Sequence, residues 1–114
     1  MNSPYFKPEE FACKCGCGMC EVNDDLVTIL HRIREHFDRL VIVTSGNRCK
    51  AHNRAVGGSK GSYHVKGMAA DIVVQDVPAD VVQELCEDME VPGLGKYQDF
   101  THVDVRDGRS RWHG

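Results

Sequence analysis

The sequence has no surplus of basic charge and no long hydrophobic run. Its 14 Lys and Arg residues stand against 17 Asp and Glu residues, which gives a formal net charge of −3. A chain of this balance lacks the cations that neutralise a phosphate backbone, so we expect no nucleic-acid partner. No apolar stretch approaches the roughly 20 residues that cross a bilayer, which predicts no membrane span.

The sequence also lacks a recognisable secretory signal and any linker that would separate two domains. The first residues lack the basic region and apolar stretch of a secretory signal, so we expect a cytoplasmic product as synthesised. There is no repeat, low-complexity tract or linker, and 114 residues suit one domain better than two. We therefore expect a monomer with a single domain over residues 1–114. It would comprise a Cys/Gly-rich N-terminal segment, residues 1–22, and a core, residues 23–114.

The six cysteines are unevenly distributed along the chain. Four of them fall within eight residues of the N-terminal segment: Cys13, Cys15, Cys17 and Cys20. Disulfides between such close neighbours would constrain little of the chain, and a reducing compartment disfavours them. We expect a glycine-rich loop of reduced thiols. The alternative is a structural zinc ion at those four residues, with Cys49 or Cys86 as a distant partner.

Apolar periodicity predicts about three helices. Leu26, Leu30, Ile33 and Phe37 recur at helical spacing behind Asn23, a residue that can cap a helix. A short helix is predicted over residues 49–56. A third begins after residue 78 and ends at the Pro-Gly pair at 92–93.

Four short runs read as strands: residues 40–44, 69–74, 100–105 and 109–112. The last two are separated by Asp107-Gly108, which predicts a hairpin between them. The fold class expected from this pattern is α+β, with a small antiparallel sheet and about three helices.

Two histidines stand at informative distances from carboxylates. His64 precedes Asp71 by seven residues, and Gly67 between them would let the backbone turn sharply. Asp71 is the one charge in an apolar strand, and strand alternation puts His102 and Asp104 on the same face. Two imidazoles and a carboxylate are donors suited to catalytic zinc. The alternative is polar loop histidines beside a buried, hydrogen-bonded aspartate.

Residues 45–104 carry a resemblance to a known family. They resemble the zinc D-alanyl-D-alanine carboxypeptidases and dipeptidases, which share the fold of the Hedgehog signalling domain. The motifs that carry it are Ser45-Gly46-Asn47-Arg48, Ser62-Tyr63-His64, Ala69-Ala70-Asp71-Ile72 and Asp99-Phe100-Thr101-His102.

The resemblance implies that His64, Asp71 and His102 ligate one zinc ion and that Asp99 is the general base. Many family members have Glu where this chain has Asp99. Arg48 matches an arginine that stabilises charge on the scissile carbonyl, and Ser62 matches a serine that holds substrate. On this basis residues 23–114 are a catalytic core.

The resemblance further implies a metallopeptidase that acts on peptidoglycan stem peptides, in the manner of a D-Ala-D-Ala carboxypeptidase. Two alternatives remain open. One is an L-Ala-D-Glu endopeptidase such as a phage or prophage lysin, which would reach the cell wall. The other is a zinc-containing binding module without catalysis, as in the Hedgehog branch. General zinc-protease motifs of the His-Glu-x-x-His type are absent from the sequence.

Overall fold

The computed structural model describes residues 3–18, 20, 22–58 and 61–114. Positions 1, 2, 19 and 21 of the predicted N-terminal segment lie outside the described residues. Over these ranges the chain forms three α-helices, α1 (Asp24–Phe37), α2 (Lys50–Ala55) and α3 (Ala79–Asp88). A 3-10 turn at Pro8–Phe11 precedes them. No helix in this part of the chain has the length and hydropathy of a membrane span.

One mixed sheet contains the strands of the described residues. They are β1 (Val41–Ser45), β2 (Ala69–Val74), β3 (Gly93–Lys96), β4 (Thr101–Asp104) and β5 (Ser110–His113). Their order across the sheet is β1-β2-β4-β3-β5. All neighbours pair antiparallel except β3 and β5, which are parallel. The α+β class, the three helices and the mostly antiparallel sheet confirm the prediction.

The first helix forms as its sequence predicts. The Asn23 side chain accepts a hydrogen bond from the backbone of Asp25 at 2.8 Å, which satisfies a free N–H of the first turn. Leu30 and Ile33 are fully buried on its inner face. The helix ends at Asp38 in a left-handed conformation, with φ of 51°.

The hydrophobic core lies between one face of the sheet and helices α1 and α3. Ile72, Leu94 and Val103 project from three different strands into this core and are each no more than 1% exposed. Phe6 and Phe11 of the N-terminal segment pack against the same cluster. Because side chains alternate along a strand, the neighbours of these residues project from the opposite face of the sheet.

The predicted hairpin between residues 100–105 and 109–112 is wrong. β4 pairs with β2 and β3, whereas β5 pairs in parallel with β3, a strand that the sequence did not indicate. The turn at Asp107-Gly108 therefore leads the chain past β3 instead of back along β4.

Candidate metal centre

Adjacent strands place the first two candidate ligands side by side. In the pairing of β2 with β4, Asp71 lies directly opposite His102. Their neighbours Ile72 and Val103 belong to the core, so Asp71 and His102 project together from the other face. The Nδ1 atom of His102 lies 3.0 Å from Oδ1 of Asp71.

The third candidate ligand comes from the loop before β2. His64 lies in a turn that Gly67 closes with φ of 70°, a conformation that favours glycine. Its Nε2 atom lies 3.3 Å from the same Oδ1 of Asp71. All three residues are buried, and their ligand atoms lie within 4.8 Å of one another. This group could hold a metal ion.

Outer hydrogen bonds fix the orientation of both imidazoles. Nδ1 of His64 donates to the carbonyl oxygen of Gly46 at 2.8 Å, so Nε2 is the ring nitrogen that faces Asp71. Nε2 of His102 donates to Oδ2 of Asp104 at 2.7 Å, which leaves Nδ1 facing Asp71. Partners of this kind hold the tautomer and the ring orientation of metal-ligating histidines.

Asp104 is the buried anchor of this arrangement, at 0% exposure. Its carboxylate accepts two parallel hydrogen bonds from Arg106, at 2.8 Å from Nε and 2.7 Å from Nη2. Sequence reasoning put Asp104 on the same face as His102 but did not assign it this role, and it missed Arg106. Strand alternation was the signal for Asp104; Arg106 follows the strand end and carried none.

Electrostatics favour the charged carboxylate of Asp71. Burial alone raises its pKa, but hydrogen bonds from His102 and His64 outweigh burial and lower the pKa to about 2. For His102, burial lowers the pKa, whereas hydrogen bonds to Asp104 and Asp71 raise it above its ordinary value. The donor set therefore contains a carboxylate that stays ionised, as metal binding requires.

The three residues line a cavity of about 470 Å³, together with Arg48 and Ser62. The Nη2 atom of Arg48 lies 3.7 Å from Oδ2 of Asp71, and its Nη1 donates to Asn53 at 3.2 Å. The hydroxyl of Ser62 accepts from the backbone N–H of His64 at 3.2 Å. The structure thus brings five of the six predicted site residues together.

Aromatic rings form walls of the same cavity and were not predicted from the sequence. Trp112 of β5 lies 4.9 Å from the His102 ring, measured between centroids, and its Nε1 donates to the Tyr97 hydroxyl at 3.0 Å. The Arg106 guanidinium lies over the rings of Tyr63 and Trp112 at 4.5 and 5.0 Å. These cation–π contacts join the aromatic wall to the arginine that holds Asp104.

Asp99 is the predicted site residue that the structure does not bring to this cavity. It is exposed, in the turn before β4. It lines a neighbouring cavity of about 250 Å³ with Val82 and Thr101. Phe100 lines both cavities, whereas Asp99 lines only the second.

The absence of side chains at Gly93 and Gly95 of β3 makes room for the site. A β-carbon on Gly93 would lie 1.9 Å from Oδ1 of Asp104, and one on Gly95 would lie 2.6 Å from Nε1 of Trp112. Any larger residue would displace the anchor of His102 or the aromatic wall. β3 was not predicted from the sequence because glycine has a low strand propensity. The site nevertheless requires glycine at positions 93 and 95.

The cysteines group in part as the sequence suggested, with Cys49 as the distant partner and without Cys20. Cys20 is exposed and lies outside the thiol cluster of the described residues, in which Cys49 joins Cys13, Cys15 and Cys17. Cys86 is buried in the core on α3. All six thiols are free.

Comparison with known proteins identifies a family that the chain matches. Residues 4–104 match the family model of peptidase M15. MepK, a probable peptidoglycan L,D-endopeptidase of Haemophilus influenzae, is 38% identical to the chain over 60 residues. The alignment covers 51% of this chain and 32% of that protein. The chain thus spans about a third of the length of the curated relative that it matches.

Proposed function

Because the chain belongs to the peptidase M15 family, we propose that it is a zinc-dependent peptidase that cleaves an internal bond of peptidoglycan stem peptides. The observation that carries the proposal is the convergence of His64 Nε2 and His102 Nδ1 on one carboxylate oxygen of Asp71, at 3.3 and 3.0 Å. Two oriented imidazoles and one ionised carboxylate fit zinc and leave a fourth position open.

The residues around this donor set have separate parts in the proposed reaction. A zinc ion supplies a Lewis acid that lowers the pKa of water and polarises a carbonyl. The guanidinium of Arg48, held beside Asp71, stabilises negative charge that develops on the scissile carbonyl oxygen. Ser62 and the aromatic wall formed by Tyr63, Tyr97, Phe100 and Trp112 bind and orient the peptide.

Asp99 is proposed as the general base, from its register of three residues before His102. To reach substrate in the first cavity, its carboxylate must leave the neighbouring cavity that it lines in this structure. Its exposed position is the observation that favours the alternative function, a binding module that retains the metal but does not hydrolyse peptides.

Two observations favour an internal bond over a terminal D-Ala-D-Ala bond. MepK is named as a probable endopeptidase. In addition, a carboxypeptidase needs a cation for the terminal carboxylate, and both arginines among the described lining residues have other proposed parts. Arg106 is held by Asp104, and Arg48, beside Asp71, is assigned to the scissile carbonyl oxygen.

The test is digestion of purified muropeptides by the zinc-loaded protein, with mass spectrometry of the products. An endopeptidase releases a fragment with a new internal terminus, such as D-Glu after cleavage of L-Ala-D-Glu. Release of free D-Ala would instead establish the carboxypeptidase. Zinc binding without cleavage of any stem peptide would support the alternative function, a binding module that does not hydrolyse peptides.

Variants separate the metal site from the base. His64→Ala should lose zinc from this site and all turnover. Asp99→Asn should keep zinc and lose turnover, while Asp88→Asn, a matched change at an exposed carboxylate of α3, should alter neither. Full activity in Asp99→Asn would show that another group takes the proton.

A further inference from the structure

The four-cysteine cluster of Cys13, Cys15, Cys17 and Cys49 lies apart from the histidine site in the sequence and uses different ligands. We propose that this cluster binds a second zinc ion, with a structural role. The four sulfur atoms lie within 4.8 Å of one another. The Sγ atoms of Cys13 and Cys15 are 3.4 Å apart, and those of Cys15 and Cys49 are 3.6 Å apart.

These separations suit a shared metal ion better than disulfide bonds. Zinc holds thiolates at about 2.3 Å in a tetrahedron, whose edges are then about 3.8 Å long. A disulfide needs about 2.05 Å between its sulfur atoms, well below these two separations. Four protein ligands also fill the coordination sphere of zinc, which is typical of structural sites that do not bind substrate.

The backbone around the cluster is shaped to present sulfur atoms inward. Gly16 and Gly18 adopt φ of 82° and 86°, conformations that let the loop fold back between its cysteines. The backbone N–H of Cys49 donates to Sγ of Cys13 at 3.3 Å, and that of His52 donates to Sγ of Cys49 at 3.3 Å. Such donors stabilise the thiolate form, which is the form that binds zinc.

The position of the cluster explains what the ion would stabilise. Three ligands follow the 3-10 turn Pro8–Phe11, and the fourth follows Arg48. The same two segments meet where Asn47 N donates to Phe11 O at 2.8 Å, and Gly46 approaches Phe11 too closely for a β-carbon. Gly46 orients His64 through its carbonyl oxygen. Zinc at the cysteines would therefore fix the loop that supports the histidine site.

The first test is zinc per chain in the full-length protein, measured by elemental analysis. Wild type should hold two zinc ions, and His64→Ala should hold one. Cys49→Ser should also hold one, and the double variant none. Cys20→Ser is the matched control, since its thiol is in the same segment but outside the cluster, and it should keep two. Two ions in Cys49→Ser, or none in His64→Ala, would overturn the proposal.

A second measurement covers the case in which Cys49→Ser fails to fold. The His64→Ala protein, prepared without metal and titrated with cobalt(II), should show the sulfur-to-cobalt charge-transfer absorption of a thiolate site. Its absence would overturn the proposal. Alkylation after denaturation without reductant should modify all six cysteines; fewer would indicate a disulfide and would also overturn it. Neither readout depends on peptidase activity, so failure here is distinct from failure of the proposed function.

Discussion

Asp104→Asn should weaken both zinc binding and the fold, although Asp104 is not itself a candidate ligand of the metal ion. The carboxylate accepts four hydrogen bonds: Oδ2 from His102 Nε2 and Arg106 Nη2, and Oδ1 from Arg106 Nε and Arg106 N. An amide NH₂ in place of either oxygen cannot accept a hydrogen bond, so two of the four hydrogen bonds are lost. The NH₂ group then faces the two N–H groups that had donated to that oxygen.

The magnitude follows from the charge and burial of the lost bonds. Hydrogen bonds to charged groups contribute about 1.5 to 3 kcal/mol each, and removing one partner of a buried ion pair costs about 3 to 5 kcal/mol. We expect about 3 kcal/mol less free energy of unfolding in the metal-free protein. Loss of an outer partner of a ligating histidine should weaken zinc binding by about 10- to 100-fold.

The assays are urea unfolding of the metal-free protein and zinc competition with a chromogenic chelator. Asp107→Asn, an exposed change three positions along the chain, is the control and should leave both unchanged. Gly93→Ala should reproduce the loss without altering charge, since its β-carbon would occupy the place of the Asp104 carboxylate. Wild-type zinc affinity in Asp104→Asn would refute the claim that this carboxylate orients His102.

Three further predictions rest on separate features. Gly95→Ala should displace the Trp112 indole and expose it to solvent. Trp112 is the single tryptophan, so a red shift of the protein's tryptophan fluorescence would report this exposure. An unchanged spectrum would contradict the close packing of Gly95 against Trp112. Arg48→Ala should lower turnover by about 10²- to 10³-fold while zinc content and circular dichroism stay as in wild type. Burial raises the pKa of Cys86 to about 12, so at pH 8 its thiol stays protonated and should resist iodoacetamide in the native protein. Rapid native-state labelling of Cys86 would disprove this, and exposed Cys20 provides the comparison.

The parts of the fold that local sequence determines were predictable. α1 follows from its apolar spacing and the Asn23 cap, and β2 from its apolar run, because both depend on neighbours in the chain. β3 is a strand in spite of Gly93 and Gly95, which lie against Asp104 and Trp112 of other strands, and it pairs in parallel with β5. No local pattern contains that information.

Local sequence likewise predicted some residues of the candidate site and not others. Spacing around Gly67 and alternation along β4 indicated His64, Asp71 and His102, because one turn and one strand fix their directions. The position of Asp99 depends on the path of the turn before β4, and the fourth member of the cysteine cluster depends on the approach of two distant loops. Register along the chain does not determine either of these.

The pairing of Asp71 with His102 also constrains when a metal ion can bind during folding. These residues are 31 positions apart, and α3 and β3 lie between them in the chain. They become neighbours only after that intervening segment closes and β2 pairs with β4, a contact of long range that forms slowly compared with a helix. A chain that has formed its helices but not this pairing holds the ligands far apart. Capture of the proposed zinc ion at His64, Asp71 and His102 would therefore select molecules whose central strands have already joined.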